Sequence, residues 1–382
     1  IDGGKKAVGK DVYQESWAGP YADREDGTGK WVRYDTSGKM VKGWDVTERG
    51  TYYFDQTTGA MAKGETEIDG IPCVFDRETG IGWNLQWQEK EGARYWYEGG
   101  KRQGLEGRGK EIYDPASDAW YWLDSNADGK MAVSKDVYQP YTIQGQDEIG
   151  KWVRYDEYGH MIKGEDHRHI EGTADNAEWG YWYFDQTTGA MLYGLQTVTT
   201  TNAGTGESQT KTVYYDDTTG LLLKGYHTIG DTLYFFDPYT GEVINGWYAD
   251  PDTGVLYWYE NSARQGYNVN NPDYRGKEIY DPTTDAWYWL DNVQQGAVAK
   301  SKDVYQESYA GRFADREDGT GKWVRYDQWG KMIKGWDWGA LDNNGIHQYF
   351  DEDTGAMAKG DVWIGDEHWS FDWNTGYGTR LN

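Results

Sequence analysis

The side chains of this chain that could do chemistry are mostly aromatic. Among 382 residues there are 22 Trp and 33 Tyr but only 8 Phe, so most rings carry an N–H or O–H beside a flat apolar face. Such rings stack on the C–H faces of sugars while nearby Asp, Asn and Gln take the hydroxyls. Two runs, Trp120-Tyr121-Trp122 and Trp287-Tyr288-Trp289, put two indoles on one face of a strand and the tyrosine on the other. Trp120, Trp122, Trp287 and Trp289 are therefore expected to offer glycan platforms. A second set follows glycine: Gly-Trp steps at Trp44, Trp83, Trp247 and Trp336 place an indole where one unit of the chain meets the next. Each ring also has a plainer use, as a cross-strand stabiliser of a thin sheet.

Two other chemistries are weaker. Asp124-Ser125-Asn126-Ala127-Asp128-Gly129 has the first half of a calcium loop, with oxygen ligands from Asp124, Asn126 and Asp128 and glycine at the sixth position. The closing position holds Lys135, with Asp136 one residue late, and the equivalent stretch from Asp291 lacks the middle ligands. A turn accounts for both copies, and nothing in the sequence requires a cofactor. For catalysis, the 6 histidines are scattered. His167 and His169 share a strand face without a cysteine or carboxylate at metal-site spacing. In so acidic a chain, carboxylate pairs carry no information about glycoside hydrolysis. No nucleophile elbow, phosphate loop or nucleotide fingerprint appears, so no catalytic residue is assigned.

The elements that must position the rings are read from self-similarity. An aromatic-Asp-turn-Gly pattern recurs from Tyr34-Asp35 to Phe371-Asp372, and its copies predict an all-β chain of about fourteen hairpins spaced roughly 20–30 residues apart. Residues 30–44 are the type unit: Lys30 to Tyr34 as one strand, a turn from Asp35 to Gly38, and Lys39 to Val41 returning as the other. A longer period lies above this one. Lys-Asp-Val-Tyr-Gln occurs from Lys10, Lys135 and Lys302, each followed by Lys-Trp-Val-Arg-Tyr-Asp, which divides the chain into superrepeats at 1–133, 134–300 and 301–382. The second is longer by an insertion of hairpins, in which the Thr-rich stretch 197–212 reads as a β-arm or mobile loop. No sustained apolar period of 3.6 supports a helix.

Composition sets the physical frame. Hydrophobic residues make up only 37% and Gly numbers 52, so the core is thin and repetition replaces depth as the source of stability. A net charge of −26 repels nucleic acid and anionic membrane. It keeps the protein soluble and favours cationic ligands. The single Cys73 excludes an intrachain disulfide. No apolar run reaches the length of a membrane span, and the first residues, which do not form a signal peptide, read as the middle of a longer protein.

The unit resembles the cell-wall, choline-binding and glucan-binding repeats of Gram-positive surface proteins. Its strongest witnesses are Lys42-Gly43-Trp44-Asp45-Val46 and the run from Thr51 to Gly64, with similar runs at 180–194 and 348–360. The resemblance implies a β-hairpin solenoid that binds repeating polymers between adjacent hairpins. Choline-binding members cage the quaternary ammonium with a Gly-Trp indole, an aromatic of the following strand and a ring of the next hairpin. Carried over, this makes Trp44 with Tyr52, Trp336 with Trp338 and Tyr349, and Trp247 the site residues. The step is lost where Glu65, Glu165, Leu195 or Asp361 follows the glycine, so few full cages are expected. The function expected is a non-catalytic, multivalent attachment segment of an extracellular, cell-wall-associated or secreted protein. Its partner would be a surface polysaccharide, glycan or choline-substituted teichoic acid. The alternative is an adhesin or rigid spacer that presents the loops at 22–29, 141–150, 171–178 and 197–212 to a host protein.

Overall fold

A computed structural model of the chain describes residues 4–141, 149–169, 179–201, 204–338 and 347–381. The expected loop 171–178 and most of 141–150 lie outside these residues. Two compact units divide at Leu192 and Tyr193. Both are built from antiparallel hairpins joined by short turns, with no α-helix and no closed barrel among the described residues.

Among the described residues the first unit holds seven hairpins, whose leading strands are Lys10–Trp17, Gly43–Thr47, Gly64–Ile68, Gln86–Lys90, Gly109–Asp114, Lys135–Tyr141 and Gly164–His169. The second also holds seven, led by Gly194–Thr201, Gly225–Ile229, Gly246–Ala249, Gly276–Asp281, Lys302–Tyr309, Gly335–Asp337 and Gly360–Ile364. The fourteen hairpins foreseen from the sequence are present, and the Thr-rich insertion is a β-arm. Gly194–Thr201 pairs with Ser208–Tyr215, and the hydroxyls of Thr197 and Thr212, and of Thr199 and Thr210, meet across it at 3.1 and 3.0 Å.

The internal layout of the type unit differs from the expectation. Thr28–Tyr34 does not fold back onto Lys39 to Val41 but pairs with the upstream strand Lys10–Trp17, Val12 opposite Val32. After the turn only one bridge forms, Tyr34 to Met40, because Gly43, at φ +75°, redirects the chain three residues later. The aromatic-Asp-turn-Gly motif thus connects hairpins rather than closing them. In its second copy the Asp55 carboxylate accepts from the Thr57 and Thr58 backbone N–H groups and the Thr58 hydroxyl, so the turn is held by its own side chains.

Stacking within each unit is also repetitive. The residue after a turn repeatedly donates its N–H to the hairpin before: Met61 to the Trp31 carbonyl at 2.8 Å in the first unit, Met357 to Trp323 at 2.9 Å in the second. The long period has a physical cause too. Arg33 grips Asp11 with two hydrogen bonds of 2.7 and 2.9 Å and Asp45 with a third. Arg154 does the same with Asp136 and Asp166, and Arg325 with Asp303 and Asp337. The Lys-Asp-Val-Tyr-Gln strand recurs because it supplies the carboxylate to the arginine of its partner strand.

Candidate functional site

The Gly-Trp rings do not share one fate. Gly335, at φ +74°, starts the strand Gly335–Asp337, which pairs with Gln348–Phe350 so that Trp336 faces Tyr349 across the hairpin. Their rings meet edge to face at 5.3 Å. Period-2 alternation puts Trp338 on the face of Trp336, and the two indoles stack at 5.2 Å with 23° between planes. The next hairpin brings Trp369 to 4.6 Å from Trp336. His347 closes the group, 4.3 Å from Trp338 and 6.1 Å from Trp369. Three indoles, a phenol and an imidazole therefore converge, with Trp338 60% exposed and Trp369 only 6%.

Polar groups border this cluster. The Trp369 indole N–H donates to Glu367 at 3.1 Å, and Glu367 pairs with Arg380 at 2.8 Å. Nδ1 of His347 is buried with no hydrogen-bond partner. Burial raises the Tyr349 hydroxyl above its ordinary pKa, with the Glu352 carboxylate adding to the shift. It stays a neutral phenol. Among the described residues no Lys or Arg lies over Trp336, Trp338 or Trp369. Among the described residues, the rings thus present polarisable faces with no Lys or Arg over them.

Trp44 is arranged differently from the expectation. It lies opposite Tyr53, not Tyr52, in the register of Gly43–Thr47 with Gly50–Phe54, and its ring is 5.1 Å from Tyr53 and 5.9 Å from Phe75. Tyr52 points to the other face, 3% exposed, beneath the Arg33 guanidinium at 3.9 Å. The pairing of Trp44 with Tyr52 is therefore corrected to Trp44 with Tyr53: adjacent strand residues cannot share a face.

Trp247 is tied into the core. Its indole N–H donates to Asp281 at 2.8 Å, and its ring stands at 4.9 Å from Trp258 and 4.7 Å from Tyr288. Burial alone would raise the Asp281 pKa, but bonds from Trp247, Thr283 and Thr284 outweigh it and bring the carboxyl down to about 2. Trp87, which the sequence reading passed over, makes the same contacts to Asp114, Trp96 and Tyr121 in the first unit. Gln86 stands before it where Gly246 stands before Trp247, which hid it from a search for Gly-Trp steps.

The expected glycan platforms are halved. Trp120 and Trp287 are exposed, at 39% and 37%, but Trp122 and Trp289 are buried. Trp122 packs on Val137, Val153 and Tyr155 of the following hairpin, and Trp289 on Val304, Val324 and Tyr326. The alternation is as expected, and stacking then covers half of the shared face. What stays open is a cross-strand pair, Tyr113 with Trp120 and Tyr280 with Trp287, each at 5.3 Å.

The calcium ligands are turned to different partners. Asp124 accepts the Asn126 N–H and pairs with Lys135, while Asp128, left-handed at φ 57°, pairs with Arg102. Lys135, which spoiled the loop as a ligand at the closing position, is itself the counter-ion. Among the described residues no group of three His, Cys, Asp or Glu could hold a metal, and the His169 side chain lies outside them. The site residues missed by the sequence reading are Tyr53, Phe75, His347 and Trp369. The register of each hairpin would have located Tyr53, but only stacking of the next hairpin brings in Phe75 and Trp369.

Residues 27–65, a stretch that includes Trp44, Tyr53 and the Asp55 turn, match the model of the choline-binding repeat. Similar solved structures include CbpJ from Streptococcus pneumoniae, at 16% identity over 97% of this chain and 100% of that one with a TM-score of 0.39. Choline binding protein F of the same organism, in the presence of a peptidoglycan analogue, shows 15% identity over 88% and 92% with a TM-score of 0.40. The pneumococcal autolysin LytC shows 16% identity over 78% of this chain but only 47% of its own, with a TM-score of 0.26. No curated protein matches the sequence.

Proposed function

We propose that the chain is a non-catalytic attachment module that holds a choline-bearing polymer of the Gram-positive cell surface through aromatic clusters between adjacent hairpins. The observation that carries this reading is the convergence of Trp336, Trp338, Trp369 and Tyr349 with no Lys or Arg over the indoles among the described residues. A trimethylammonium group against such rings gains about 0.5–2 kcal/mol per well-placed face, and the net charge of −26 favours its approach. The match of residues 27–65 to the choline-binding repeat model supports the same chemistry. Several such contacts along one polymer convert modest single-site affinity into retention. The exposed pairs at Trp120 and Trp287 add sugar-stacking surface, and the module would act outside the cell.

Equilibrium dialysis against choline, α-gluco-oligosaccharides and a choline-substituted teichoic polymer tests the reading. Choline and the polymer are expected to bind, the polymer far more tightly. Retention of none of the three contradicts it.

A further inference from the structure

We propose that Lys101 is a built-in cation that closes the Trp44 cluster to external ammonium ligands. The inference rests on the reading of these clusters as ammonium sites and assigns to one of them a state the others do not share. The Lys101 ammonium lies 4.2 Å from the centroid of the Trp44 ring, the position a ligand's cation would take. Its strand, Lys101–Arg102, is hydrogen-bonded to the strand Ile71–Phe75, with Lys101 opposite Cys73, in the cluster that holds Tyr53, Phe75 and Trp44. Burial pushes the Cys73 thiol up to about 11 against the pull of the Lys101 charge, which places that charge close to the cluster. Among the described residues Lys101 forms no ion pair, and the Trp44 ring is the partner of its charge.

Two positions in the second unit correspond to Lys101: Arg380, which lies opposite Trp369 at the Trp336 cluster and pairs with Glu367 at 2.8 Å, and Ala263. Ala263 pairs with Tyr234 as Lys101 pairs with Cys73, and Leu195 pairs with Tyr214 as Trp44 pairs with Tyr53. Where the indole is absent, the lysine is absent too. A tethered ammonium competes at an effective concentration that a free monomeric ligand seldom reaches. The Trp44 cluster is thus satisfied from within, while Trp336 and Trp338 have no cation over them among the described residues.

Titration of the full chain with tetramethylammonium, read by dialysis and Trp emission, tests this. Lys101→Met keeps the stem and removes the charge, and is expected to add one equivalent of bound cation over the wild type, at least tenfold tighter than any residual binding at that position. The added equivalent should vanish in Lys101→Met/Trp44→Leu. If Lys101→Met binds only the wild-type number while Trp336→Ala still removes a site, the plug is overturned and the proposed function stands. If no variant binds at all, both fall. An independent readout needs no ligand: the Lys101 ε-methylene protons should be shifted upfield by the indole in the wild type and return in Trp44→Leu. An unshifted wild-type resonance overturns the contact itself.

Discussion

Tryptophans among the described residues range from rings tied into the core, such as Trp96 and Trp122, to exposed ones, such as Trp120 and Trp338. Trp247 and Trp87 spend the indole N–H on a buried carboxylate and both flanks on neighbouring rings. The carboxylate gives this arrangement a measurable signature. Because Asp281 is held near a pKa of about 2 in the fold, against roughly 3.9 when unfolded, it contributes stability that is complete above the unfolded value and is lost as pH falls through the folded one. Asp281→Asn should therefore flatten the dependence of the melting temperature on pH between about 4 and 2. A variant that keeps the wild-type slope would show that the hydrogen bonds do not hold the charge. The turn at Asp124 makes a second prediction. Its carboxylates already face Lys135 and Arg102, so calorimetry with calcium at about 1 mM should register no saturable heat. Saturable binding that Asp128→Asn abolishes would restore the metal loop.

Hairpins are specified by two devices, an arginine clamp and a glycine that accepts a methionine. Arg154 is buried and holds the carboxylates of Asp136 and Asp166, with Trp182 stacked at 4.4 Å. Arg154→Met should lower stability by about 2–3 kcal/mol in urea denaturation, since charged hydrogen bonds are lost and partly buried carboxylates are left behind. Gly355 sits at φ +67°, and a Cβ there would overlap the Met332 sulfur. Gly355→Ala should cost about 1–3 kcal/mol from the left-handed backbone alone, and a neutral result would show that the turn relaxes. The existence, number and spacing of hairpins were legible in the sequence because aromatic-Asp-Gly turns mark each unit. The pairing of Thr28–Tyr34 with an upstream strand was not. The turn motif is local, whereas the Arg33 to Asp11 clamp that selects the partner spans 22 positions. The same limit applies to the sites. Trp336, Trp338 and Tyr349 lie on one hairpin and could be read together, but Trp369 arrives from the next by packing. Tyr52 was misplaced by one residue, which in a strand reverses its face.

For the molecule as a whole, the proposed function distributes ligand contact along the repeats, and unequally. Many indoles serve the core, the Lys101 ammonium lies over Trp44, and three indoles converge at Trp336 with no Lys or Arg over them among the described residues. Binding strength should then depend on polymer length more than on any one site, because each added choline acts at the effective concentration set by the first. A choline-substituted polymer should compete with free choline at concentrations lower by roughly a hundredfold or more per choline group, and equal potency per choline would show that only one site engages. The most direct measurement is a Trp fluorescence titration of the full chain and of Trp336→Ala with choline and, separately, with short gluco-oligosaccharides. The account predicts saturable quenching by choline that Trp336→Ala removes. Quenching by the oligosaccharides alone, or choline quenching that survives Trp336→Ala unchanged, would contradict it.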